Sequence, residues 1–86
     1  MAAKKHKYPI IYVEWLDAAT KDEWHSAKEA KSSRPHPCHT VGWLLGMDKD
    51  RINIAETYSI AQEDEEIFAS LVVPRASVSK LVYIKK

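Results

Sequence analysis

HTVGWLLGMDKDRINI, His39 to Ile54, has the make-up of a β-hairpin with a charged turn. Thr40 to Met47 alternates, with Val41, Trp43, Leu45 and Met47 on one face and Thr40, Gly42, Leu44 and Gly46 on the other. Two glycines on a single face predict sharp coiling or the close approach of another backbone. Asp48-Lys49-Asp50-Arg51 supplies the turn, since aspartate bonds its own backbone locally. Ile52, Ile54, Glu56, Tyr58 and Ile60 then alternate with Asn53, Ala55, Thr57 and Ser59 in the next strand.

The flanking segments extend the same pattern. Upstream, Pro9 to Leu16 is rich in β-branched and aromatic residues, as strands prefer. Ile11, Val13 and Trp15 are predicted to point inward, leaving Ile10, Tyr12, Glu14 and Leu16 on a mixed outer face. Residues 1–7 read as a polar, basic, frayed tail. Thr20-Lys21-Asp22-Glu23 has the form of a capping box, predicting a helical insertion over about residues 20–31. Trp24 is its expected anchor to the rest of the fold, and Ser32 to Pro37 ends it because proline cannot continue a helix.

Downstream, Gln62 to Glu66 reads as a solvated acidic loop. Ile67 to Val73 is a fourth strand stopped by Pro74, Arg75-Ala76-Ser77 fits one 3₁₀ turn, and Val78 to Ile84 is the last strand. Five short strands, each with one apolar face, need closure to bury that face and remove edges. The expected architecture is mainly β: one domain over 8–86, a five-stranded, strongly bent small barrel with a short helical insertion between strands 1 and 2.

Composition narrows the function classes. Eighty-six residues make one domain with a modest core, and 45% hydrophobic with 29% charged residues argues against disorder. Thirteen basic against twelve acidic residues leave +1, too balanced for a general phosphate-backbone binder. The one cysteine, Cys38, excludes an internal disulfide and fits a reducing compartment. No apolar run approaches the roughly 20 residues that span a bilayer, and nothing at the start resembles a signal peptide. A cytoplasmic protein without a membrane partner is expected.

Gly42-x-Leu44-x-Gly46-x-Asp48, followed by Ile52-Asn53, resembles the first motif of Sm-like proteins: a glycine, a leucine two residues on, an aspartate, and a hydrophobic–asparagine pair in the next strand. Val73-Pro74-Arg75-Ala76-Ser77-Val78 is similar to the second, where an arginine follows an apolar strand. One extra residue lies between Asp48 and Asn53, no glycine follows Arg75, and the insertion is foreign to that family. The resemblance implies an Sm-like small β-barrel with Asp48, Asn53 and Arg75 near a ring-shaped RNA site. The wider pattern is similar to small bacteriophage proteins: Val13-x-Trp15-x-Asp17-Ala18, a tryptophan in the insertion, Cys38 before Thr40-Val41-Gly42-Trp43, and Val73-Pro74. That resemblance implies a phage origin and the host cytoplasm as its location.

Chemistry-bearing clusters are few. His36, Cys38 and His39, with His25, offer zinc-type ligands, but without CxxC or HxxxH spacing, so no metal or cofactor is expected. Cys38 and His39 would point to opposite faces of a strand, which disfavours a nucleophile pair. Asp48 and Asp50 are turn residues before they are acid–base candidates. No residue set meets the geometry of an active site, and the expectation is not an enzyme.

Trp15, Trp24 and Trp43, with Tyr12 and Tyr58, supply aromatic surface, and Arg34, Arg51 and Arg75 supply anion contacts beside it. The candidate ligand-binding set is Trp43, Asp48, Arg51, Asn53 and Arg75. Ile10, Leu16 and Leu44 fall outside the inferred inner faces, and free strand edges add to them, so a homo-oligomer is expected. The predicted function is a binding module holding a nucleotide or short RNA at intersubunit pockets, with sequestration of a host signalling nucleotide as one use. The other expectation is a module that binds and inhibits a host protein.

Overall fold

Strand β1, Ile10–Asp17, buries Ile11, Val13 and Trp15 and turns Tyr12 and Glu14 outward, as its alternation predicts. The computed structural model describes residues 7–59 and 65–84. After β1 come helix α1 (Ala27–Ser32), β2 (His36–Met47), β3 (Arg51–Ser59), β4 (Glu66–Pro74), a 3₁₀ turn (Arg75–Ser77) and β5 (Val78–Tyr83). All strand pairs are antiparallel, in one sheet of order β4-β3-β2-β1-β5. The sheet is not closed: β4 and β5 are both edges. Expectations for residues 1–6 of the basic tail, for Ile60 and for residues 62–64 of the acidic loop lie outside the described residues.

The core joins strands that are far apart in the sheet order. Ile11, Val13 and Trp15 of β1 meet Leu44 of β2, Ile52 and Ile54 of β3, and Val73 of β4. Leu71, Val78, Leu81 and Cys38 pack on that cluster. Edge strand β4, β3 and β1 can share one core only if the sheet folds over on itself. Two local devices accompany the bend. Leu45 is an extra residue in the β2–β3 register, which passes from Leu44↔Ile54 to Gly46↔Asn53. Ala69, in mid-β4, holds a left-handed φ of 63°.

Leu44 corrects the expected faces of β2. It belongs to the core, at 9% exposure, while Val41 on the other face is 58% exposed. The cause is Gly42, two residues before it on the same face. A Cβ there would sit 2.6 Å from the Ala55 carbonyl oxygen and from Ile54 Cγ2, so β3 crosses where the side chain is missing. Gly46 has nothing within 4 Å of an added Cβ, and close approach does not explain it.

Strand β2 also begins four residues earlier than predicted, taking in His36 and Pro37. Pro37 is tolerated because no strand among the described residues pairs with the β2 edge away from β1 at that level.

The insertion differs most from expectation. Helix α1 starts at Ala27 with Ser26 as its N-cap, whose Oγ accepts from the Glu29 backbone N–H at 3.1 Å. The Thr20 box does not open it. Trp24 is no anchor, for its side chain is fully exposed and α1 has no buried residue. A short helix without a packed apolar face gains little from its neighbours, which limits it to six residues. No helix among the described residues is long and apolar enough to cross a membrane.

Candidate functional site

Aspartate at the start of the β2–β3 turn organises the first candidate region. Asp48 Oδ1 accepts from the backbone N–H groups of Asp50 (2.8 Å) and Arg51 (2.9 Å), and its Oδ2 lies 3.6 Å from Arg51 Nη1. Those two backbone donors, with Arg51 and Arg75 nearby, hold the Asp48 carboxyl below its ordinary range. The turn following β4 closes onto the same place. The Arg75 N–H donates to Asp50 O at 2.9 Å, and Arg75 Nη1 donates to Asp48 O at 3.2 Å.

Three of the five predicted ligand-binding residues, Asp48, Arg51 and Arg75, are thus brought together. Asn53 lies two residues along β3, half-buried and opposite Gly46 and Val72. Trp43 is not part of this group. It sits five residues before Asp48 on an extended strand, about 16 Å away at ~3.3 Å per residue. There it is half-buried, across from Ala55 and edge-on to Tyr58 at 5.3 Å between ring centroids.

Trp43 belongs to a second, aromatic region. Tyr58 also meets Tyr8 edge-on at 5.5 Å, and its hydroxyl accepts from the Lys7 backbone N–H. Glu65 Oε1 accepts from Tyr8 Oη at 3.0 Å and from Lys7 Nζ at 3.2 Å. The hydrogen bond to Glu65 raises the affinity of both Lys7 and Tyr8 for their protons. Glu65 is therefore an ion-pair partner as well as part of an acidic stretch, and Lys7 is tied to the sheet.

A third region was not legible in the sequence. Strands β2 and β3 part company after the Trp43↔Ala55 pair, leaving a fork that β3 and β4 share on one side. A cleft of about 470 Å³ lies in it, bordered by His39, Thr40, Glu56, Ala69 and Ser70. Tyr12 fixes the imidazole at its mouth. The Tyr12 hydroxyl lies 2.5 Å from Glu14 Oε2 and 2.7 Å from His39 Nδ1, and the Tyr12 and His39 rings stack. One hydroxyl has one proton to give. With Glu14 Oε2 accepting it, His39 Nδ1 is the donor to the Tyr12 oxygen. The bond to Glu14 also raises the Tyr12 pKa. Ala69 gives no sequence signal for its left-handed backbone.

The zinc-type residues do not converge: no group of three or more His, Cys, Asp or Glu that could hold a metal exists among the described residues. Cys38 packs partly on the core and its thiol points to His36 O at 3.5 Å. Trp15 is a core residue whose Nε1 donates to Thr40 Oγ1. Comparison with known proteins brings no match, whether to protein-family models, to curated proteins or to solved structures.

Proposed function

We propose that this chain is a non-enzymatic binding module of the Sm-like small-barrel type, phage-encoded, that works as a homo-oligomer and holds a nucleotide or short RNA. One observation carries the reading: both edge strands are open and apolar. On and around them Phe68 (74% exposed), Ile67, Val72, Val82, Tyr83 and Ile84 all face solvent. A soluble chain of this size rarely leaves two such edges uncovered. Pairing β4 of one copy with β5 of the next satisfies both, and its head-to-tail sense generates a ring when the rotation closes.

In such a ring the joined β2–β3 and β4–β5 turns recur once per subunit. Arg51 and Arg75 supply charge-assisted donors for phosphate there, and Asn53 supplies an amide beside them. The contact of Arg75 with Asp48 and Asp50 supports this, since the Sm-like resemblance assigns its RNA site to these two turns. The second reading, a module that binds a host protein, is favoured by Trp24, an indole fully exposed on an insertion that nothing else explains.

Native mass spectrometry of freshly purified protein tests the first reading. A ring-sized oligomer carrying extra mass of nucleotide size is the expected result, with Phe68→Lys dispersing the ring and Arg51→Ala stripping the ligand. A bare monomer would remove both the assembly and its pocket and leave the protein-binding reading in front.

A further inference from the structure

The insertion between β1 and β2 leaves the sheet at Asp17 and rejoins it at His36, residues that face each other as the last pair of the β1–β2 ladder. Between these points it has no buried residue, so no apolar packing shapes it. Its shape comes from polar bonds instead. Ser26 caps α1, Lys21 Nζ bridges to Glu29 at 3.0 Å and Glu23 at 3.7 Å, and His25 Nδ1 lies 2.6 Å from Glu23 O.

Those bonds surround a cleft of about 410 Å³ whose polar lining is Thr20, Lys21, His25, Ser33, Arg34 and His36. The volume falls within the roughly 300–1,000 Å³ usual for small-molecule sites. Every ionisable group in that lining is a base, and the two hydroxyls are further donors.

From this we propose that the insertion carries a site for a tetrahedral dianion, the phosphate or sulfate group of a small ester, distinct from the β2–β3 turn. Arg34 is its principal charge. Its Nη1 donates to Ser33 O over a long 3.5 Å, and among the described residues no carboxylate pairs with it. Lys21 contributes less because Glu23 and Glu29 offset it.

A carbonyl only accepts, so His25 Nδ1 is the donor in its bond to Glu23 O. His36 is the other imidazole of the lining, with Asp17 across the ladder as the carboxylate facing it. Asp22 and Glu23 precede His25 on its own segment, and Glu29 of α1 pairs with Lys21. The lining holds two cationic side chains, Arg34 and Lys21, and two imidazoles.

Sulfate is the suitable probe because it stays doubly charged across the range where a phosphate ester, with its second pKa near 6, loses charge. Titration of sulfate into the full chain, followed through the imidazole and arginine NMR signals, should be saturable. Arg34→Gln should abolish the response, and because Arg34 is exposed the variant should melt with the parent.

A mononucleotide that outbinds sulfate, with the gain lost in Trp24→Ala, would identify a nucleoside ester. Equal binding of the two would identify recognition of the anionic group alone. Non-saturable shifts, or shifts that survive Arg34→Gln and vanish in Arg51→Gln, would overturn the site.

Discussion

Alanine at position 42 should be among the most damaging small substitutions in this chain, and the same change at position 46 should be harmless. No glycine has a positive φ, so the backbone permits alanine at both places and only space decides. At Gly42 the new methyl would lie 2.6 Å from Ala55 O and from Ile54 Cγ2. The Ile54 side chain can give by changing rotamer, but the Ala55 carbonyl belongs to β3. Moving it opens the ladder at Trp43↔Ala55 and Leu44↔Ile54, the last two pairs before the fork.

Overpacking of this kind costs about 1–3 kcal/mol, and involvement of backbone places Gly42→Ala in the upper half, about 2–3 kcal/mol. For a domain of this length about 4–8 °C accompanies each kcal/mol, so the melting temperature should fall by roughly 8–24 °C. In urea, at a slope of about 1 kcal/mol per molar, the midpoint should drop by roughly 2–3 M. At Gly46 the methyl meets nothing within 4 Å, and alanine should be neutral or stabilise by up to about 0.5–1 kcal/mol. The two variants are compared with the parent at one protomer concentration, because association shifts apparent stability. Equal melting of Gly42→Ala and Gly46→Ala would refute the close crossing of β3, and with it the assignment of Leu44 to the core.

Ala69→Gly should stabilise the protein, because glycine relieves a left-handed φ that costs an L-residue about 1–2 kcal/mol, and the unfolded chain returns part of that gain. A melting temperature below the parent's would count against the bend at that residue. Asp48 has a lowered pKa in the fold, so its stabilising contribution is complete above the ordinary carboxyl value near 3.8 and is lost as the pH falls through the depressed one. Urea midpoints measured against pH should show that acid slope in the parent and a shallower one in Asp48→Asn. Trp24→Ala should leave melting within the few degrees of an ordinary surface change, since the indole packs on nothing. A large loss would mean that the insertion folds back on the sheet.

How much of this was legible in the sequence depended on whether alternation was one-sided. In β1 Ile11, Val13 and Trp15 continue inward, while the mixed face of Ile10, Tyr12, Glu14 and Leu16 is marked as the outer one by Tyr12 and Glu14 at its centre. In β2 both faces are apolar, Trp43 and Leu45 against Leu44, and the choice falls to Gly42 and to an extra residue in the register, which only the partner strand reveals. In the insertion Thr20-x-x-Glu23 predicts the helix start, but Ser26-x-x-Glu29, the same pattern six residues on, is the one that caps α1, and local chemistry alone does not rank the two. Asp48 and Arg75 could be grouped only through the resemblance to the two Sm-like motifs, and Arg51 only as a candidate anion contact. His25, Arg34 and His36 meet around a loop with no fixed spacing, so nothing in the string joins them to Lys21.

The open edges finally set the terms on which the fold is stable. Seven side chains form the central cluster, and ten large apolar residues among those described are exposed, more than the fold buries. A core that small supplies only a few kcal/mol in a domain of this length. If copies pair β4 to β5, the area they cover adds to folding itself, and the melting temperature must rise with protein concentration. Each tenfold increase shifts an association step by about 1.4 kcal/mol, which corresponds to several degrees here. Phe68→Lys, which places a charge in the edge, should remove that concentration dependence while leaving the dilute melting point close to the parent's. A parent protein whose melting is independent of concentration, and unchanged by Phe68→Lys, would mean that the edges stay unpaired and the monomer is the working form.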